Sequence, residues 1–166
     1  MTRWSCQGRR AASVSLAVQL AVDAGATVIG LASEGHHHWL AGHGVVPVVY
    51  GDGVTERIRN ASDGRVDAFI DTFGGIYVEM AVGLGVAPDR IDTIIDRTAA
   101  QKYGAKTDGS AAAANTDVLS ELAELVAQGR LEIPIDMTYP LTQVREAYRD
   151  LEQRHALGKI VLVPLR

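Results

Sequence analysis

Ser15 to Tyr50 reads SLAVQLAVDAGATVIGLASEGHHHWLAGHGVVPVVY, and this stretch decides the fold. Apolar residues at Val14, Ala17, Val18, Ala21 and Val22 keep the i, i+3, i+4 spacing of a helix with one buried face. Gly25 follows as a residue that tolerates positive φ, so the helix is expected to end there. Thr27-Val28-Ile29 comes at once, a β-branched run that predicts a fully buried strand. A short helix over about 36 to 42, then Gly44 and the apolar run Val45 to Tyr50, complete helix-strand-helix-strand. That is half of a doubly wound parallel sheet, in which ligands sit at the carboxyl ends of the strands. Ala32-Ser33-Glu34 is therefore where recognition is expected.

Working outward, the start of the chain is the weakest part of the pattern. A doubly wound domain opens with an apolar strand and a glycine-rich turn. In MTRWSCQGRR only Trp4 and Cys6 are apolar between Met1 and Gly8, so the first strand reads as frayed or missing. Beyond Tyr50, Gly51-Asp52-Gly53 turns the chain into a polar helix, Val54 to Ala61, and Asp63-Gly64 turns it again. Val66 to Asp71 predicts a third buried strand closed by Thr72-Phe73-Gly74-Gly75. A helix from Tyr77 to Leu84, a strand from Ile91 to Ile95, a helical turn over 97–103 and an edge strand from Ala105 to Ser110 follow. Asn115 to Gln128 carries Val118, Leu119, Leu122, Leu125 and Val126 as one apolar stripe, with Gly129 as its cap. The alternation specifies an α/β fold with right-handed crossovers over residues 1–130. Residues 131–166 add a C-terminal strand-helix-strand extension: Leu131 to Tyr139, a charged helix to Arg154, and Ile160 to Val163.

Composition excludes some partners. The net charge of −4 speaks against nucleic acid and acidic membrane surfaces, which select basic proteins. Cys6 is the only cysteine, which suits a reducing cytoplasm and forbids an internal disulfide. The longest apolar stretch, Ala11 to Ala32, is broken by Gln19, Asp23 and two glycines and does not read as a membrane span. The N-terminus has Arg3, Arg9 and Arg10 but no hydrophobic region between them and a cleavage site, so a signal peptide is not expected.

Three segments carry a resemblance: SLAVQLAVDAGATVIGLAS (15–33), VDAFIDTFGG (66–75) and YPLTQVREAYRDLEQRHALGKIVLVP (139–164). Together they resemble the medium-chain dehydrogenase/reductase superfamily, specifically its zinc-free, NADPH-dependent quinone oxidoreductase-like branch, related to zinc-type alcohol dehydrogenases. The resemblance implies a Rossmann-type domain that binds NADP(H), with hydride transfer to a carbonyl, quinone or activated alkene. It also implies the nucleotide-binding half of a two-domain enzyme. The residues from Leu131 on would complete a catalytic domain that this chain lacks, or that a separate chain supplies. Subunits of the family pair sheet to sheet, so a homodimer is expected.

The implied cofactor contacts fall on Gly8, Ala11, Ser13 and Val14 in the first turn, Ser33 after the second strand, Tyr50 beside the adenine, and Thr72, Phe73 and Gly74 near the nicotinamide ribose. The first turn departs from the family's glycine-rich pattern: Arg9-Arg10-Ala11-Ala12-Ser13-Val14 stands where the glycines would be. Side chains there hinder approach of the backbone to a pyrophosphate. Arg9 and Arg10 read as solvated arginines rather than phosphate ligands. Ser33 stands where an acid would select NAD, which favours NADP, although Glu34 follows it. Tyr50 reads equally well as a residue packing on the sheet rim, and 72–75 equally well as a plain turn.

His36, His37 and His38 invite a zinc reading. Neighbours on a helix point about 100° apart and cannot converge on one ion, so no metal is assigned. No catalytic side chain is assigned either; Asp67 and Asp71 read as ordinary residues bracketing a strand. The rival to an oxidoreductase domain is a non-catalytic remnant or oligomerising module that keeps the fold.

Overall fold

A computed structural model describes residues 3–7, 11–109, 114–153 and 157–164. Five strands, β1 (Arg3–Gln7), β2 (Thr27–Ala32), β3 (Val45–Val49), β4 (Ala68–Asp71) and β5 (Ile91–Thr93), form one sheet in the order β3-β2-β1-β4-β5. All four pairings are parallel. Between them run α1 (Ala11–Asp23), α2 (His37–Gly42), α3 (Val54–Ala61) and α4 (Tyr77–Gly83), and α5 (Arg97–Tyr103) follows β5. The fold is doubly wound α/β of the Rossmann type.

The two faces of the sheet have separate cores. Val14, Val18 and Ala21 of α1 pack with Leu40 of α2 against Val28 and Val45. On the other face Val54 and Ile58 of α3 and Tyr77, Val78 and Ala81 of α4 pack on Ile29, Leu31, Phe69 and Ile91. Successive residues Val28 and Ile29 thus bury on opposite sides, the signature of an inner parallel strand. Gly30 has a steric reason: a Cβ there would lie 2.9 Å from Val45 Cγ1 and 3.2 Å from Leu40, so only glycine lets α2 close on the sheet. Gly25, at φ +79°, ends α1 as the sequence predicts.

Two expectations are corrected. The opening strand is present as β1, and it is central rather than frayed. Its backbone is paired on both sides, to β2 and to β4, with Ser5 opposite Ile29 and Phe69. Double pairing satisfies its amides and carbonyls without a long apolar run. The edge strand from Ala105 to Ser110 is reduced to a single bridge, Asp92 to Lys106; Ser110 lies outside the described residues. Asp92 accepts a hydrogen bond from the Asp108 amide at 3.0 Å, and burial pushes its carboxyl above the usual range. Charges at such an edge discourage further strand pairing.

The helix α6 (Thr116–Ala127) is capped by Asn115, whose side chain accepts from the Val118 amide at 2.9 Å. Its apolar stripe is not buried here: Val118, Leu122 and Leu125 are half-covered, and Leu119 is 68% exposed. Residues 130–132 are fastened to α1. Buried Gln19 donates to the Glu132 carbonyl at 2.9 Å and accepts from its amide at 2.8 Å. Arg130 forms a forked pair with Asp23 at 3.0 and 2.7 Å.

Beyond this latch, β6 (Ile135–Pro140) and β7 (Lys159–Val163) make a parallel two-stranded sheet joined by α7 (Val144–Gln153). Gly158 is needed before β7, because a Cβ there would fall 2.0 Å from the Pro134 carbonyl oxygen. Tyr139 donates to Asp150, tying α7 to β6. Ile133, Ile135, Met137 and Val163 are exposed on this extension.

Candidate functional site

In a parallel sheet the strand ends converge on one edge, and here four loops meet the solvent there. Ser33 follows β2 and is half-buried, with an extended backbone (φ −69°, ψ 155°). Its hydroxyl lies 3.5 Å from His36 Nδ1, and its carbonyl accepts the His36 amide at 3.0 Å. His37 Nε2 reaches the Ala32 carbonyl at 3.4 Å. Glu34 is exposed. The end of β2 thus offers a hydroxyl and two imidazoles, groups that suit a phosphate oxygen.

The histidine run does not converge. His38 is exposed, and His43 stacks on Trp39 with ring centroids 3.9 Å apart while bonding Glu132 at 2.9 Å. Among the described residues no three His, Cys, Asp or Glu side chains are grouped to hold a metal ion.

Tyr50 follows β3 and is half-buried. The loop that carries it is organised by Arg57 of α3, a residue the sequence reading passes over. Its guanidinium donates to the carbonyls of Val49 at 3.0 Å, Asp52 at 2.8 Å, Tyr50 at 3.3 Å and Gly51 at 3.4 Å. Five donors on a rigid plane can gather several carbonyls of one turn, which a lysine cannot do.

After β4, Thr72 and Gly74 are buried and Phe73 is half-buried, its ring edge-on to Tyr77 at 5.7 Å. Gly74 has φ +84°, a conformation that L side chains rarely adopt. The loop turns on Asp71, whose Oδ1 accepts from the amides of Phe73 at 2.9 Å and Gly74 at 2.8 Å. Asp71 is fully buried, not the ordinary strand-end residue that the sequence suggested. An Asp two positions before a loop amide is the pattern of an Asx turn, and that signal was legible in Asp71-Thr72-Phe73-Gly74.

Val14 is 4% exposed and its side chain fills the core beside α1. Ala11 and Ser13 belong to the first turns of α1, but their side chains lie outside the described residues, as do Gly8, Arg9 and Arg10 altogether. Gln7 at the end of β1 is level with Leu31 on one side and Asp71 on the other. A groove of about 450 Å³, lined by Ala17, Leu20, Ala24, Ile70 and Arg90, lies at the opposite edge, where β2 begins.

The strand ends thus carry a hydroxyl and two imidazoles after β2, with Glu34 exposed, and a glycine-permitted turn after β4. No helix among the described residues is long and apolar enough to cross a membrane.

Comparison with known proteins agrees with this fold. A family model described as zinc-binding dehydrogenase matches residues 12–162. A search of curated proteins finds no match. Among solved structures, a putative alcohol dehydrogenase from Sinorhizobium meliloti 1021 superposes with TM-score 0.80 at 21% identity, over 99% of this chain and 48% of its own. A quinone oxidoreductase from Coxiella burnetii gives 0.73 at 23%, over 97% and 52%. A mycobacterial protein complexed with NADPH gives 0.78 at 18%, over 98% and 56%. The chain spans about half the length of these structures. With the match running through nearly every element described above, the chain belongs to the zinc-binding dehydrogenase family, within the medium-chain dehydrogenase/reductase superfamily, and corresponds to its C-terminal half.

Proposed function

We propose that this chain is the NADP(H)-binding half of an oxidoreductase acting on a carbonyl, quinone or activated alkene. The observation that carries this reading is Ser33, a half-buried hydroxyl with His36 beside it, at the strand end where a carboxylate would select the unphosphorylated cofactor. When bound, the reduced nicotinamide supplies a hydride to the acceptor, which takes its proton from water or a neighbouring acid. The residues of this chain bind and orient. Ser33, assisted by His36 and His37, holds the 2′-phosphate. Tyr50, on the loop fixed by Arg57, flanks the adenine. Thr72, Phe73 and Gly74 border the nicotinamide end, and the turn holding Gly8, Ala11, Ser13 and Val14 faces the pyrophosphate. No zinc takes part and no catalytic side chain is assigned.

The test is oxidation of NADPH with a panel of quinones, enones and aldehydes, followed by the cofactor's near-ultraviolet absorbance. Steady consumption with at least one acceptor is expected once a chain that supplies the other half is present. Binding without turnover on any of them would replace this reading with that of a non-catalytic module.

The reading includes a homodimer. Exposed Ile133, Ile135, Met137 and Val163 on the extension and Leu119 and Val126 on α6 make apolar surface of the kind that association covers. Light scattering at micromolar protein is expected to give about twice the 17.7 kDa of one chain. A monomer stable at high concentration would contradict it.

A further inference from the structure

We propose that Asp71 is a positioning residue for the cofactor rim, setting the loops after β4 and β5 in one register so that dinucleotide affinity depends on it. The inference rests on the NADP(H) reading above and goes beyond it to a residue that touches no ligand.

Asp71 and Thr93 are both fully buried. Oδ1 of Asp71 accepts two amides of its own loop, and Oδ2 accepts the Thr93 hydroxyl at 2.8 Å. That hydroxyl accepts in turn from the amides of Ile95 at 3.3 Å and Asp96 at 3.0 Å. Asp96 then caps α5 through the Ala99 amide at 2.9 Å. The main chain closes the same circuit, with the Ile94 amide donating to the Asp71 carbonyl at 3.1 Å. One carboxylate thereby fixes four loop amides, two directly and two through Thr93.

The loops also touch above this clasp: a Cβ on Gly74 would stand 3.3 Å from Ile95 Cγ2. On their outer side Ile76, Ile94 and Ile95 are 63%, 50% and 47% exposed. An apolar rim is held from below by a buried polar clasp. Burying a carboxylate is costly, and here the cost is offset because its oxygens accept two loop amides and the Thr93 hydroxyl. What the carboxylate adds is a fixed geometry at the strand ends, where the cofactor's nicotinamide end is proposed to lie.

The test compares the wild type with Asp71→Asn, Thr93→Val and Thr93→Ser by amide hydrogen exchange and by NADPH titration, with no turnover required. Asn cannot accept the Thr93 proton on its amide side, and Val removes the hydroxyl, leaving Oδ2 unpaired. Both variants are expected to lose protection at Phe73, Gly74, Ile95 and Asp96, to keep it in α1 and β3, and to bind NADPH about tenfold more weakly. Thr93→Ser keeps the hydroxyl and is expected to restore both properties. If Asp71→Asn does not fold, the contrast between Val and Ser at position 93 decides. A folded Asp71→Asn or Thr93→Val that binds NADPH like the wild type overturns the proposal and leaves the NADP(H) reading standing. A wild type that binds no dinucleotide overturns both.

Discussion

Ser33→Asp is expected to reverse the cofactor order, so that NADH binds more tightly than NADPH. The residue sits half-buried at the end of β2, where a carboxylate would face the 2′-phosphate. Two unit charges about 4 Å apart at an effective dielectric of about 20 repel by roughly 4 kcal/mol. Solvent at this partly open site lowers that to about 1.5–3 kcal/mol, which is a loss of about tenfold to a hundredfold for NADPH. The same carboxylate accepts from a free ribose 2′-hydroxyl, so NADH gains. Side-by-side fluorescence titrations of both proteins with both cofactors read this directly. An unchanged order would mean that the end of β2 does not read the ribose.

Val14→Gly is expected to cost about 3 kcal/mol of stability and to bring no gain in cofactor binding. Where the family has a glycine in this turn, Val14 here is buried and packed with Val18, Val28, Leu40 and Val45. Removing its side chain gives up about 1.5–3 kcal/mol of burial, and glycine in a helix adds about 1 kcal/mol. For a domain of this size the melting temperature falls by about 10 °C. Thermal denaturation with a parallel NADPH titration checks both halves of the statement. Tighter NADPH binding at unchanged stability would mean that the valine obstructs the pyrophosphate turn and the core tolerates its loss.

The parts of the fold that were legible in the sequence are those specified within a few residues. The stripe from Val14 to Val22, the stop at Gly25 and the run Thr27-Val28-Ile29 announce α1 and β2 through periodicity alone, and Asn115 announces α6 by its cap. What escaped depends on partners far along the chain. β1 is a strand because β2 and β4 flank it, which its own residues do not declare. Residues 105–109 are extended enough to look like a strand but form only one bridge, since Lys106 and Asp108 blunt the edge. The stripe on α6 reads as core, yet none of its residues is buried and three are only half-covered.

The candidate site divides in the same way. Ser33, Tyr50 and Thr72 to Gly74 could be placed because strand ends can be placed. The residues that hold their loops could not, because each acts across a gap in sequence. Thr93 meets Asp71 from 22 positions away. Arg57 reaches back to Val49 from the next helix. A buried carboxylate and a guanidinium look in sequence like any other surface charges, and only the sheet brings them to their partners.

The central claim is that this domain binds a dinucleotide and prefers the phosphorylated one. Titration of the purified wild-type chain with NADPH and NADH, by isothermal calorimetry under one set of conditions, tests it most directly. The account predicts saturable binding of NADPH at one site per chain, tighter than that of NADH. Binding of neither, or tighter binding of NADH, would contradict it.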